Sequence, residues 1–202
     1  EAFDGLEGDI CVKYAKIFKQ EEKDDALDLL VSYTELRYNY KDHIFENTAG
    51  MIMPLKLIYA KKSDGSYELK EKLEAEDGEK YFDSILKMAD GDETLARDVA
   101  KYTFVKDDYT EIMKELAKEA DAAGLKDYTL DLDNVPGYAK DESLFIEDVP
   151  NEPRNTIAIV NKAEYEKAKK NEDDENWPHV QGLLYDKETK IAVKSIIDDF
   201  TK

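Results

Sequence analysis

The sequence predicts an α+β fold: an antiparallel β-meander packed with a helical insert, then a smaller β-rich segment. Three observations carry this. From Asp9 to Ala75 apolar residues recur largely at period two. From Tyr81 to Ala120 the period shifts to about 3.6. From Thr156 onward short apolar runs return, separated by turn residues. The expected division is residues 1–132, meander plus helices, and 133–202, the smaller segment, the two packed as one compact unit.

Asp9 to Phe18 reads as the first strand, rich in β-branched and aromatic residues. The polar run Gln20 to Asp25 interrupts it. Leu27 to Tyr40 is a longer strand, in which Leu36, Tyr38 and Tyr40 face one way and Arg37 and Asn39 the other. Asn47 to Gly50 reads as a turn. Met51, Met53, Leu55, Leu57 and Tyr59 then alternate, and Asp64-Gly65 closes a hairpin. Tyr67, Leu69, Leu73 and Ala75 alternate with Glu68, Lys70, Lys72 and Glu74, the pattern of a strand with one wet face.

The helical insert follows. Tyr81, Phe82, Ile85, Leu86 and Ala89 form an apolar stripe ended by Gly91. Asp92 caps a second helix with Leu95, Ala96 and Val99. Asp107 or Asp108 caps a third, carrying Tyr109, Ile112, Met113, Leu116 and Ala120 and stopped by Gly124. Tyr128 to Leu132 and Thr156 to Val160 read as short strands. The segment between them, with Pro136, Pro150 and Pro153, reads as loop. Asn161 and Glu164 have capping-box spacing before a short helix. Val180 to Tyr185 and Ile191 to Ile197 form a hairpin around Asp186 to Lys190.

Composition restricts the function classes. The 202 residues carry 48 acidic and 29 basic side chains, a formal net charge of −19. Such a surface repels nucleic-acid backbones and anionic membranes. With 42% apolar residues the chain can still form a core, which argues against long disorder. No apolar run is long enough to span a bilayer, so no direct membrane insertion of this segment is expected. Cys11 is the only cysteine and cannot form an internal disulfide. That fits a reducing cytosol, and also an exported protein that never relied on disulfides. Glu1 to Asp9 lacks a basic n-region and an apolar h-region, and no Met opens the chain. The expectation is a processing boundary with a signal or lipid anchor upstream.

The catalytic motifs can be taken in turn. Cys11, in a strand with no helix terminus beside it, reads as a buried hydrophobe rather than a nucleophile. His43 beside Asp42 reads as a surface turn residue, and His179 after Trp177-Pro178 as the lead into a strand. No Gly-x-Ser-x-Gly elbow and no phosphate-binding glycine loop occurs. No cofactor is expected. Asp90-Gly91-Asp92-Glu93 reads as a helix stop and start, and Asp131 and Asp133 as the wet face of a strand. Neither has EF-hand spacing. Asp173, Asp174 and Glu175 form the best remaining Ca²⁺ candidate, a weak one. The 13 tyrosines are the other lead. Tyr33, Tyr38 and Tyr40 share one strand, and with Trp177 they are the candidate ligand-binding residues, because tyrosine offers an apolar body with a polar tip.

A resemblance adds a setting. The run Asp64-Gly65-Ser66-Tyr67-Glu68-Leu69-Lys70-Glu71, followed by Glu76-Asp77-Gly78-Glu79-Lys80-Tyr81-Phe82, resembles small uncharacterised exported or lipoprotein domains of Firmicutes. These are similar to the extracytoplasmic tail domains of BlaR1/MecR1-like membrane proteins. The resemblance covers about residues 8–90. Leu73-Glu74-Ala75-Glu76 stands where a Trp-Pro step is often found, and no catalytic residue carries over. It implies a location outside the membrane and an unknown ligand or protein partner. The expected function is a non-enzymatic exported binding or sensing module. The alternatives are an acidic inhibitory protein that docks a basic partner, and a hydrolase using scattered carboxylates.

Overall fold

The computed structural model describes residues 8–103, 106, 108–138, 140–147, 152–169 and 180–197. The fold is α+β. Eight strands form one mostly antiparallel sheet: β1 (Ile10–Glu22), β2 (Ala26–Lys41), β3 (Ile44–Lys61), β4 (Tyr67–Glu74), β5 (Ser143–Glu147), β6 (Thr156–Asn161), β7 (Val180–Asp186) and β8 (Ala192–Ile197). The described helices are α1 (Tyr81–Met88), α2 (Glu93–Lys101), α3 (Tyr109–Ala122) and α4 (Lys162–Lys169). The strand order is β1-β2-β3-β8-β7-β6-β5, with β4 also paired to β3. Strand β3 pairs parallel with β8 at Phe45 and Glu46, and antiparallel with β4 from Leu55 to Lys61.

The long meander strands are set by their turns. Asp42 and His43 both have positive φ (52° and 67°), the backbone of a two-residue type I′ hairpin. The expected turn at Asn47 to Gly50 is instead the middle of β3. Its turn-forming residues are overridden by the adjacent β2: Asn47 Nδ2 and Thr48 Oγ1 both donate to the Arg37 carbonyl, at 3.0 and 3.3 Å. At the β3–β4 turn Asp64 Oδ1 accepts from the Ser66 amide (2.9 Å) and hydroxyl (2.6 Å), as the Asp-Gly signal requires.

Chain contacts divide the molecule into two units. Unit 1 comprises residues 1–12, 36–50 and 104–202, and unit 2 residues 13–35 and 51–103. Both are discontinuous, because β1, β2 and β3 each run from one into the other. The expected division at 132/133 is a single cut and follows a different line.

Unit 1 has its core on β6, β7 and β8. Ile157, Ile159, Leu183, Tyr185 and Ala192 pack with Ile44 and Val135, and Leu130, Leu132, Tyr138 and Phe145 close the rim. Helix α3 buries Ile112, Met113, Leu116 and Ala120 completely. Its end is a Schellman motif at Gly124 (φ 75°): Leu125 N–H donates to Ala120 O, and Gly124 N–H to Asp121 O. Asn161 Oδ1 caps α4, accepting from the Ala163 and Glu164 amides. Gly182 of β7 leaves no room for a side chain, since a Cβ there would sit 2.6 Å from the Ile159 carbonyl oxygen.

Two expectations for this unit are corrected. Tyr128 to Leu132 is not a strand. It is irregular chain leading into a 3-10 turn at Leu132–Asn134, so Asp131 precedes a turn rather than lying on a wet strand face. Its alternation arises because Leu130 and Leu132 drop onto the core while Tyr128 Oη bonds back to Asp121 of α3 at 2.7 Å. Within the Pro-punctuated segment lies β5, which borrows its order from β6 across five residue pairs.

Unit 2 packs Leu30, Phe18, Leu73 and Ala75 against α1 and α2. Ile85, Met88, Ala96 and Val99 fill the contact. Asp92 Oδ1 caps α2 through the Leu95 amide at 3.0 Å. Asp90 and Gly91 both have positive φ where α1 ends (57° and 86°): Gly91 N–H bonds Leu86 O and Asp90 N–H bonds Lys87 O. The expected wet-and-dry alternation of β4 fails. Every residue but Leu73 is exposed, Leu69 at 47% and Tyr67 at 38%. The register shift between Ile58 and Tyr59 breaks the face to which those side chains would belong.

Candidate functional site

The tyrosines of β2 do not form one face. Strand period two already separates Tyr33 from Tyr38, since five positions is an odd step. Tyr33, in unit 2, is half-buried and donates to Glu35 Oε2 at 2.9 Å. Tyr38, in unit 1, is 3% exposed and meets Phe45 edge-on at 6.3 Å. Burial pushes its phenol well above the usual range. Tyr40 packs on Phe45 at 5.0 Å and donates to Lys126 O at 2.8 Å. Phe45 also meets Tyr128 at 6.0 Å, and burial with Asp121 beside it pushes the Tyr128 phenol up to about 12. Tyr38 and Tyr40 thus belong to an aromatic core layer. Trp177, Asp173, Asp174, Glu175 and His179 lie outside the described residues.

The other singled-out residues fall as follows. Cys11 is half-buried rather than fully buried. His43 is exposed at the hairpin turn, and its Nδ1 sits 2.8 Å from Asp127 O, a contact that suits the Nδ1–H tautomer. Among the described residues no three His, Cys, Asp or Glu side chains gather as a metal site. No described helix is long and apolar enough to cross a membrane.

Two buried carboxylates stand out. Asp186 is 0% exposed in unit 1 and fully engaged. Its Oδ1 accepts from the Glu188 and Thr189 amides and the Thr189 hydroxyl, and its Oδ2 from Thr110 Oγ1 at 2.7 Å. It holds the β7–β8 turn against α3. Beside it the Tyr109 phenol is buried without a hydrogen-bond partner among the described residues, and burial raises its pKa far above normal. Glu35 is 0% exposed in unit 2 and accepts from Tyr33. Four described carboxylates are pushed below their ordinary values: Glu22 by Tyr67 and Lys61, Asp64 by Ser66, Asp90 by Lys56 and Lys19, and Asp131 by Lys190.

Among the described residues, large apolar side chains are exposed on both units: Ile196 of β8 (56%) in unit 1, and Ile17, Ile52, Tyr67 and Leu69 in unit 2. Leu69 and Tyr67 of β4 and Ile17 of β1 (51% exposed) present large apolar groups to solvent. The position is fixed: Glu22 of β1 accepts from Tyr67 Oη at 2.9 Å and from Lys61 Nζ at 3.1 Å, and Lys61 lies 5.9 Å from the Tyr67 ring centroid. Three strands are therefore tied together beneath exposed apolar groups. Sequence reading placed Tyr67 and Leu69 on a dry face. The signal pointing the other way is the density of charge on β4, where Glu68, Lys70, Glu71, Lys72 and Glu74 leave little apolar surface to bury.

The chain matches no protein-family model, no curated protein and no solved structure.

Proposed function

We propose that the protein is a non-enzymatic binding or sensing module that works outside the cytoplasm. One observation supports this most: the β3–β4 hairpin holds Tyr67 and Leu69 in solvent on a frame fixed by Glu22 and Lys61. Exposed apolar groups on a rigid frame suit contact with a ligand or partner, because little order is lost on binding. The test is an amide-shift NMR screen with pools of short peptides and of cell-envelope saccharides. Shifts centred on β4 that vanish in Leu69→Lys would support binding there. Turnover of a pool component by a variant carrying Leu69→Lys would sink the reading.

A second reading, an acidic protein that docks a basic partner, rests on how the lysines are used. Lys114 bridges Glu111 and Glu188, Lys190 pairs with Asp131, and Lys194 with Glu46, while the acids outnumber the bases. Polylysine binding that fades between low and high salt is the expected mark. Binding that is indifferent to salt would count against it.

A further inference from the structure

We propose that α1 and α2 form a lid on unit 2 that lifts as one piece, and that two buried hydroxyls on β2 set how easily it lifts. Ser32 and Thr34 are each 1% exposed, and neither Ser32 Oγ nor Thr34 Oγ1 has a hydrogen-bond partner among the described residues. Period two places both on the face of β2 that carries Leu30, and Leu30 packs in the cluster built by α1 and α2. A hydroxyl buried without a partner has lost its bonds to water and gained none. Hydration restores those bonds only in a state where that face is open. The two hydroxyls therefore raise the closed state and leave the open one unaffected, which narrows the gap between them.

The lid is built to move together, and it is held by the apolar cluster around Leu30 and by Tyr102, which meets Phe18 of β1 edge-on at 5.5 Å. Arg97 of α2 lies 5.3 Å from the Phe82 ring centroid of α1. The lead-in is fastened to α1, because the Glu76 amide donates to Ser84 Oγ at 2.9 Å. The preceding bond, Ala75 N–H to Pro54 O at 3.1 Å, still belongs to the sheet, so the hinge lies between Ala75 and Glu76. Only Ile85 and Met88 of α1, and Ala96 and Val99 of α2, are buried within these helices. The corner between the helices is latched by Asp90, whose carboxylate meets Lys56 of β3 at 2.6 Å and Lys19 of β1 at 3.4 Å. With Asp90 53% exposed, water and salt weaken this latch.

The experiment is native-state hydrogen exchange on the full chain, read residue by residue at low denaturant. Amides of α1 and α2 should exchange through one shared opening, below global unfolding. Thr34→Val and Ser32→Ala should each slow that opening by roughly fivefold or more, the rate equivalent of removing one unpaired buried hydroxyl. Asp90→Asn should speed it by a few-fold, with the difference shrinking at high salt. The proposal is overturned if α1 and α2 exchange only with the global transition. It is also overturned if Thr34→Val slows the most protected amides but leaves lid opening unchanged. Should a hydroxyl variant fail to fold, the Asp90→Asn comparison still decides, because a lid without this latch would show no change.

Discussion

Unit 1 and unit 2 solve the same problem, covering a sheet with helices, in different ways. Unit 1 answers its buried Asp186 carboxylate and Tyr185 phenol with bonds to backbone and side chains, although its Tyr109 phenol has no hydrogen-bond partner among the described residues. Asp186 has four donors and Tyr185 Oη bonds Leu130 O at 2.8 Å. Its helix α3 runs 14 residues and buries five of them. Unit 2 covers its sheet with helices of 8 and 9 residues that bury two each, and its Ser32 and Thr34 hydroxyls are buried with no hydrogen-bond partner among the described residues. The difference teaches that burial alone does not rank two cores. How completely the buried polar groups are answered matters as much.

The largest expected effect breaks the better-built side. Phe45 is 0% exposed and touches the rings of Tyr38, Tyr40 and Tyr128. Phe45→Ala should cost about 3–5 kcal/mol in denaturant unfolding. The matching change in unit 2, Ile85→Ala, should cost less, near the lower end of the roughly 2–5 kcal/mol seen for aliphatic truncations. If Ile85→Ala proves the more damaging, the ranking of the two cores is reversed.

The same substitution made in each unit sharpens the contrast. Thr110→Val removes a 2.7 Å donor from the buried Asp186 carboxylate and should destabilise by about 1–3 kcal/mol. Thr34→Val removes a hydroxyl with no hydrogen-bond partner among the described residues and should stabilise by about 1 kcal/mol. Two Thr→Val changes of opposite sign, measured by thermal or urea unfolding, are the expected result. Like signs would mean that the hydroxyl of Thr34 has found a partner in solution.

What was legible in the sequence follows the same physics. The helices were readable because caps and stops are local chemistry: Asp92, Asn161 and Gly124 do what their positions imply. The hairpins at Asp64-Gly65 and Asp186 to Lys190 were readable for the same reason. Misreadings came where a neighbour strand decides. Asn47 to Gly50 looks like a turn until the long β2 lies beside it, and β5 exists only because β6 offers a partner. That Tyr33 and Tyr38 point to opposite faces of β2 was readable from parity, since five positions is an odd step. The buried hydroxyls left a faint signal, a Ser-x-Thr pair in the run from Leu29 to Leu36, where Glu35 is the one charged residue. Burial on both faces of a strand cannot be told from alternation alone.

Alkaline pH should act mainly on unit 1, where Tyr38 and Tyr109 are the most deeply buried phenols, although Tyr67 and Tyr81 of unit 2 are also pushed up. Tyr38, Tyr109 and Tyr128 have pKa values raised chiefly by burial. A tyrosine with a raised folded pKa favours the fold at pH below its unfolded value near 10, and that contribution is lost as pH rises through the folded value. A spectrophotometric titration should therefore show a group of phenols that ionise late, Tyr128 near pH 12, with loss of structure accompanying them. Ionisation of all phenols in one step near pH 10 would contradict the buried arrangement of unit 1.

Acid should act mainly on unit 2, and more gently. Its Glu22, Asp64 and Asp90 carboxylates are held below their usual pKa, against Asp131 in unit 1. For a depressed carboxylate the contribution to stability is present above the unfolded pKa, 3.8 for Asp, and is lost as pH falls through the lower folded value. Asp90 is the group to follow, because it joins the corner of α1 and α2 to Lys56 and Lys19, with Glu21 also paired to Lys19. Below about pH 4 the amides of α1 and α2 should lose protection before those of α3. The shift should be small, because Asp90 is half in water and its pairs are screened. Asp90→Asn should erase most of this acid dependence while leaving the alkaline response of unit 1 as it was. Equal loss of protection in α3 and α1 on acidification would show instead that the two units respond as one.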